Sequence, residues 1–450
     1  MIELSEIQRL FDVQRNHRHV VKAATGEQRI QRLRSLREQL LAHEKEIAQA
    51  IYDDLGRPLD NRDEFDTVLG NIEKAENELA QWMAPVPVEK SPSSPEAHSI
   101  FIKYEPRGNV LLFGTWDFPI GMFFSPLIAA ITAGNVVIAK TSSLTPASGQ
   151  VICDVVRAAF DEAEVAVIND TEVSTPDGTR RTNDVLLDMP FDHVFLTGSP
   201  RVGREIVAKA AKNLTSFTLE LGGKSPAILD ATADLDAIMP HLIFGKNYNH
   251  GQTCLTVDYL WLPTAMRETF IEKYVAAVRE TYYVGDDYQW ERDARFVNKK
   301  NFDRVRGYLD DAVARGAKVA FGGQADEEHL VIEPTVLTDV PAEAEIVREE
   351  IFGPILPIFT YDDEQEIYAH FATLGKPLGF YIYSQDDEFI NRVLENSTSG
   401  GVTINGNPLT HWAEQNLPFG GVNGSGYGRY HGVWGFRELS NARSVYRVAS

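Results

Sequence analysis

From Val110 onward the chain alternates short apolar runs with stretches of helical periodicity, and no other feature limits its fold as much. The apolar runs fall at 110–113, 136–139, 193–196 and 227–229, then resume at 259–262, 318–321, 355–360, 379–383 and 401–404. Parallel strands need long crossover connections, and helices supply them, so the pattern predicts an α/β fold built on parallel sheets. The alternation pauses around Cys254 and starts again, which predicts two α/β lobes. With 450 residues the chain has length for two or three domains. Residues 118–139 carry no charge, but Pro119, Gly121, Ser125, Pro126, Thr132, Gly134 and Asn135 interrupt them. That stretch predicts a buried helix, a turn at Ala133-Gly134-Asn135 and a buried strand from Val136, not a membrane span.

The N-terminal part is helical. Thr25 and Gln28 have the spacing of a capping box. Ile30, Leu33, Leu36, Leu40, Ile47 and Ile51 keep one apolar stripe until Gly56-Arg57-Pro58. A further helix is predicted over about 63–83, then an irregular Ser/Pro connector. The polar, charged segment 174–183 reads as a surface loop.

The net charge of −22 argues against a nucleic-acid partner, which calls for a basic face. Two cysteines build no disulfide framework, and the N-terminus lacks the basic-then-apolar pattern of a signal peptide, so a cytoplasmic location is expected. No cluster has metal-ligand spacing.

Chemistry concentrates in a few segments. Cys254 ends Asn249-His250-Gly251-Gln252-Thr253-Cys254, and Glu220 opens the glycine turn Glu220-Leu221-Gly222-Gly223-Lys224. Brought together in space, they have the residue types of a nucleophile and a base. Read singly, a residue like Cys254 is more often a buried structural thiol, and one like Glu220 a solvated or paired carboxylate. Cys153 lies in an apolar helical run and reads as packing. The strand at 193–196 runs into Thr197-Gly198-Ser199-Pro200-Arg201-Val202-Gly203, with Ser199 as N-cap and Pro200 at the first helical position. Such a turn presents free N–H groups to phosphate, although a plain tight turn has the same signature. Lys140 ends a buried strand, where ligand crevices open; the alternative is a surface lysine. Trp116-Asp117-Phe118-Pro119 follows the strand at 110–113, and Glu350-Ile351-Phe352-Gly353-Pro354 and Pro418-Phe419-Gly420-Gly421 are glycine-marked loops.

Together these segments resemble the aldehyde dehydrogenase superfamily, in order, from about residue 20 to the end. Gly251-Gln252-Thr253-Cys254 followed by Asp258-Tyr259, and the tail through Tyr430-His431-Gly432, are most similar to its class 3 branch. The resemblance implies a cofactor-binding domain (1–87 and 107–222), a catalytic domain (223–430) and a small β oligomerisation arm (88–106 and 431–450). It implies NAD or NADP as cofactor, a homodimer, and an aromatic or medium- to long-chain aldehyde as substrate, with Phe118, Met122, Phe123, Phe124 and Trp412 near the motifs. Cys254 would be the nucleophile and Glu220 the base that activates water. Trp116, Lys140, Ser143, Gly198, Ser199, Gly203, Glu350 and Phe352 would hold the cofactor, and Asn405 matches an asparagine near the active site.

Three positions depart from the family pattern. Asp117 stands where an asparagine oxyanion donor is usual, and an ionised aspartate would repel the oxyanion while a protonated one would donate to it. Thr141 replaces a proline. Ser143 replaces a ribose-gripping glutamate, which removes a repulsion against a 2′-phosphate. Two alternatives stay open: a CoA-acylating dehydrogenase, or a cofactor-binding scaffold or weak thiol esterase impaired in oxidation by Asp117.

Overall fold

The computed structural model describes residues 1–96, 98–292 and 294–448. Two parallel-stranded sheets dominate it, as the alternation predicts. In the first, the parallel strands run Ser216–Glu220, His193–Thr197, Asn109–Phe113, Val136–Lys140 and Val165–Ile168, with the short Gly426–Tyr427 antiparallel at one edge. The chain starts in the middle with Asn109–Phe113, winds outward over two strands, then crosses to the other side at His193–Thr197. This is the doubly wound order, and a crevice opens at the carboxyl ends of the strands where the direction reverses.

The charge-free stretch behaves as its composition demands. The helix Gly121–Ala133 is buried on every face. Glu64 supplies the N-terminal acceptor it lacks in its own sequence, taking the N–H groups of Ile120 (2.8 Å) and Gly121 (2.7 Å). Gly134 ends it at φ 90°, a left-handed position that glycine fills without strain. The buried strand Val136–Lys140 follows.

The second sheet orders Lys318–Phe321, Thr335–Thr338, Ile355–Tyr361, Tyr259–Pro263, Pro226–Leu229, Gly379–Tyr383 and Gly401–Ile404. Lys318–Phe321 pairs antiparallel and lies at the exposed edge, unlike its parallel neighbours. A third sheet joins Val86–Pro87, Ser99–Pro106 and Ser440–Arg447, the last two antiparallel from Ser440↔Pro106 to Arg447↔Ser99.

Several local readings need correction. The segment 174–183 is not a loop: Glu172–Thr175 and Gly178–Arg181 form a hairpin, and Ile2–Glu3 adds to it in parallel. Thr175-Pro176-Asp177-Gly178 is the local turn signal for the hairpin, whereas its third strand, Ile2–Glu3, is far away in sequence. The apolar stripe after Thr25 breaks at His43 into the helices Gly26–Ala42 and Glu44–Leu55. The Thr25–Gln28 capping box forms in both directions. Within the connector, Val86–Pro87 is a short strand. Four strands of the two large sheets escape the apolar-run reading, the two-residue Gly426–Tyr427 among them. Ser216–Glu220 and Thr335–Thr338 mix polar and apolar residues, and Val165–Ile168 is only four residues long.

Candidate active site

Strand register explains why residues distant in sequence meet. Pro226 lies opposite Tyr259, and Leu260 opposite Ile358, so three neighbouring parallel strands enter the second sheet side by side. The segments leading into them carry Glu220, Cys254 and Glu350. All three therefore gather at the amino edge of the second sheet. The carboxyl edge of the first sheet faces them, with Asp117 following Phe113, Gly198 following Thr197, and Glu220 itself the last strand residue.

The two loops nearest the thiol touch through their backbones. A Cβ on Gly251 would meet the Gly353 carbonyl carbon at 2.5 Å, so only glycine fits. Asn249, His250 and Gly251 are consecutively left-handed, at φ 55°, 58° and 70°. Such a run costs on the order of 1 kcal/mol or more per non-glycine residue and persists only where neighbours over-determine it. Here Asn249 Nδ2 donates to the carbonyls of Asp117 (3.0 Å) and Gln252 (2.9 Å). Gln252 donates to the carbonyls of Asn249 (3.1 Å) and Arg295 (2.9 Å) and accepts from Val297 N–H (3.1 Å). His250 Nε2 accepts from Ile332 N–H at 3.1 Å. The result is a half-buried free thiol at Cys254 on a rigid loop.

Glu220 is buried, and neither of its carboxyl oxygens has a hydrogen-bond partner among the described residues. The C-terminal glycine loop closes over it: Leu221 N–H donates to Ser425 O (3.0 Å), and a Cβ on Gly420 would lie 3.0 Å from Glu220 Oε1. Burial pushes this carboxyl well above the usual range, against the pull of Arg429. Glu350 accepts from Gly223 N–H at 2.9 Å, and burial raises it to about 8. A Cβ on Gly222 would sit 2.1 Å from Glu350 Oε1, so that glycine makes room for the carboxylate. The Glu350 loop is clamped from below by the buried Lys224–Asp258 pair. Lys224 also donates to Ile346 O (2.8 Å) and Glu349 O (3.0 Å), and Asp258 accepts from Ile351 N–H (2.8 Å).

Asp117 is buried beside the thiol. Thr115 Oγ1 donates to its Oδ1 at 2.8 Å, and the N–H groups of Asp117 and Phe118 also favour its anion. Burial outweighs these and raises it to about 6. Its carbonyl accepts from Arg57 at 3.0 Å, and Arg57 forms a buried ion pair with Glu64 at 2.5 Å. Burial pushes the Cys254 thiol well above its ordinary value, and the charges of Asp117, Glu350 and Glu220 add to that.

The other expected residues line the switch-point crevice or its margins. Ser199 caps the helix Pro200–Asn213, accepting from Val202 N–H at 3.5 Å, with Gly198 just before it. Gly203 instead packs the helix onto the sheet: a Cβ there would be 3.1 Å from Leu221. Lys140 is buried rather than on the surface, and its ammonium donates to Thr141 O at 2.7 Å. Trp116 and Phe352 meet edge to face at 5.3 Å, Phe352 held at φ 50°. Ser143 is exposed on the loop after Lys140. Asn405 is not brought to the site; it is exposed and bonds both backbone groups of Ser384. Sequence reading missed Thr115, Arg57 and Glu64. Only Arg57, in a helix-ending turn, carried a visible signal, and that signal was structural.

A doubly wound sheet with a helix N-terminus at its switch point, facing a half-buried thiol and buried carboxylates, is an arrangement that suits a nucleotide-dependent enzyme of thiol chemistry. The comparisons agree: the aldehyde dehydrogenase family model matches residues 3–445, and the chain belongs to that family. It is 40% identical to the putative aldehyde dehydrogenase AldX of Bacillus subtilis, over 99% of this chain and 98% of that one. It is 36% identical to the dimeric NADP-preferring aldehyde dehydrogenase of Canis lupus familiaris, over 92% and 89%. Among solved structures, the substrate-bound state of Staphylococcus aureus AldH superposes with a TM-score of 0.90 at 34% identity, covering 99% of this chain and 94% of that one. The protein is an enzyme that oxidises aldehydes.

Proposed function

We propose that this enzyme oxidises an aromatic or medium- to long-chain aldehyde to its acid, through covalent addition to Cys254, with NAD or NADP. The observation that carries the reading is the meeting of a half-buried thiol with the unpartnered carboxyl of Glu220 at the switch-point edge.

The residues present fit a dinucleotide. The capped helix at Ser199 offers N–H groups to a pyrophosphate, Lys140 ends the strand two places along the same sheet, and Glu350 and Phe352 reach the crevice from the other lobe. When bound, the nicotinamide supplies a hydride acceptor. Cys254 attacks the carbonyl and holds the substrate as a thiohemiacetal, whose oxyanion faces the Cys254 N–H and the Asp117 side chain. Loss of hydride leaves a thioester on Sγ. Glu220, once ionised, takes a proton from water, and the hydroxide releases the acid. Burial raises Glu220 above the usual carboxylate range, so the share of it able to act as base, and with it the hydrolytic step, grows as pH rises.

Ser143 places no carboxylate beside the adenine ribose, which supports acceptance of NADP beside NAD. The stacked rings of Phe118 and Tyr248 (5.8 Å), and of Tyr248 and Phe244 (4.6 Å), support an apolar substrate. The division into 1–87 with 107–222, 223–430, and 88–106 with 431–450 is supported by the separation of the two large sheets and the arm sheet, although Val86–Pro87 joins the arm sheet and Gly426–Tyr427 the first sheet. The exposed edge strand Ser440–Arg447, and the dimeric relative, support a homodimer. No described helix is long and apolar enough to cross a membrane.

The test is product analysis with benzaldehyde and a long-chain aldehyde, with each cofactor, with and without CoA. Free acid independent of CoA is expected. Glu220→Gln is expected to accumulate a thioester on Cys254, visible as added mass on the intact protein. An acyl-CoA product, or equal turnover of short polar aldehydes, would overturn the corresponding part.

A further inference from the structure

A thiol that attacks a carbonyl must give up its proton, and three carboxyl groups surround Cys254. Their hydrogen bonding decides which one can take it. Glu220 has no hydrogen-bond donor to either oxygen among the described residues, and burial pushes it well above the usual carboxylate range with only the charge of Arg429 opposing. Glu350 has one donor, Gly223 N–H, and is raised to about 8. Asp117 has the Thr115 hydroxyl and two N–H groups of its own loop, the most donors of the three, and burial raises it only to about 6.

We propose that Asp117 is the base for Cys254 and then the acid beside the oxyanion, one proton serving both purposes. This rests on the reading of Cys254 as the nucleophile. The Sγ–H bond breaks and its proton passes to the Asp117 carboxylate. The Sγ–C bond forms, and the carbonyl π pair moves onto oxygen. The new Asp117 carboxylic acid then donates a hydrogen bond to that oxygen. No electron leaves the system in this step, so no oxidant is involved. An aspartate here is thus compatible with turnover, because the step that creates the oxyanion also neutralises the aspartate.

The groups that face Asp117 are Arg57 and Glu64 on one side and Cys254 and Tyr430 on the other, while Glu220 and Glu350 face the thiol. The Asp117 charge beside the thiol disfavours a free thiolate. Proton transfer at the moment of attack avoids forming one.

The test is alkylation of Cys254 by iodoacetamide without cofactor or aldehyde, followed across pH by mass spectrometry of the Cys254 peptide. The native rate is expected to rise as Asp117 ionises near pH 6 and then level off. Asp117→Asn is expected to lose the plateau and react at least about tenfold more slowly at neutral pH. Thr115→Val, which removes a donor from the anion, is expected to move the lower inflection to higher pH, and it carries the test should the Asn variant fail to fold. Faster alkylation of Asp117→Asn at neutral pH would overturn the proposal, since Asp117 would then act on the thiol only as a repelling charge. An unmoved inflection in Thr115→Val would overturn it as well. Aldehyde turnover surviving full alkylation of Cys254 would overturn the nucleophile assignment itself, which keeps the two failures distinct.

Discussion

Asp117 shows how one residue sets opposing demands. Its burial opposes ionisation, while three donors favour it, and burial wins by raising the group from 3.8 to about 6. The folded state therefore holds a proton that the unfolded chain has already released. Stability is highest below the unfolded value and falls as pH rises through the folded one. A shift of this size corresponds to at most about 3 kcal/mol. Asp117→Asn removes that loss. Denaturant unfolding at about pH 4 and about pH 7 is expected to show a smaller drop in the variant than in the native protein, by up to that amount. Equal drops in both would place the titration elsewhere. Cys254 and Glu220 were legible as chemical candidates because thiols and carboxylates announce themselves by type. Thr115 was not, since a threonine two residues before an aspartate has no local signature.

Elements matter here mostly through their ends. The strands Pro226–Leu229, Tyr259–Pro263 and Ile355–Tyr361 contribute apolar core, while their lead-in loops contribute the chemistry. Glycine lets those loops approach. At Gly222 the obstacle is the flexible end of Glu350 rather than backbone. Gly222→Ala is accordingly expected to fold with a stability change within about 1 kcal/mol, because Glu350 can rotate away. Its displacement is expected to weaken dinucleotide binding by about fivefold or more, read by fluorescence titration of NADPH. Unchanged affinity would remove Glu350 from the cofactor site. Most helices were legible from periodicity and caps: the Thr25 box, Ser199 with Pro200, and the Gly134 stop all lie within a few residues of the structure they direct. The strand Ser216–Glu220 was not, because its alternating polar residues are satisfied only by neighbours such as Glu438, which accepts from Thr218 at 2.7 Å.

For the whole molecule, the arm sheet leaves Ser440–Arg447 on an open edge, with Tyr446 53% and Val448 63% exposed. Open edges bearing apolar side chains invite another chain. The native protein is expected to sediment as a dimer at micromolar concentration, and Tyr446→Lys with Val448→Lys is expected to shift it toward monomer. A native monomer would refute the arm's proposed role.

The sequence by itself determined the two α/β lobes, the buried helix-turn-strand after Phe118, the caps, and the family. Each of these depends on composition and spacing within a short window, or on the order of motifs along the chain. Only the tertiary structure decided that Glu220 has no donor among the described residues, that Asp117 has three, that Lys140 is buried and that Asn405 lies outside the site. Burial and hydrogen-bond satisfaction at those atoms depend on segments up to two hundred residues away, such as the glycine loop that closes over Glu220, and no local pattern encodes that meeting.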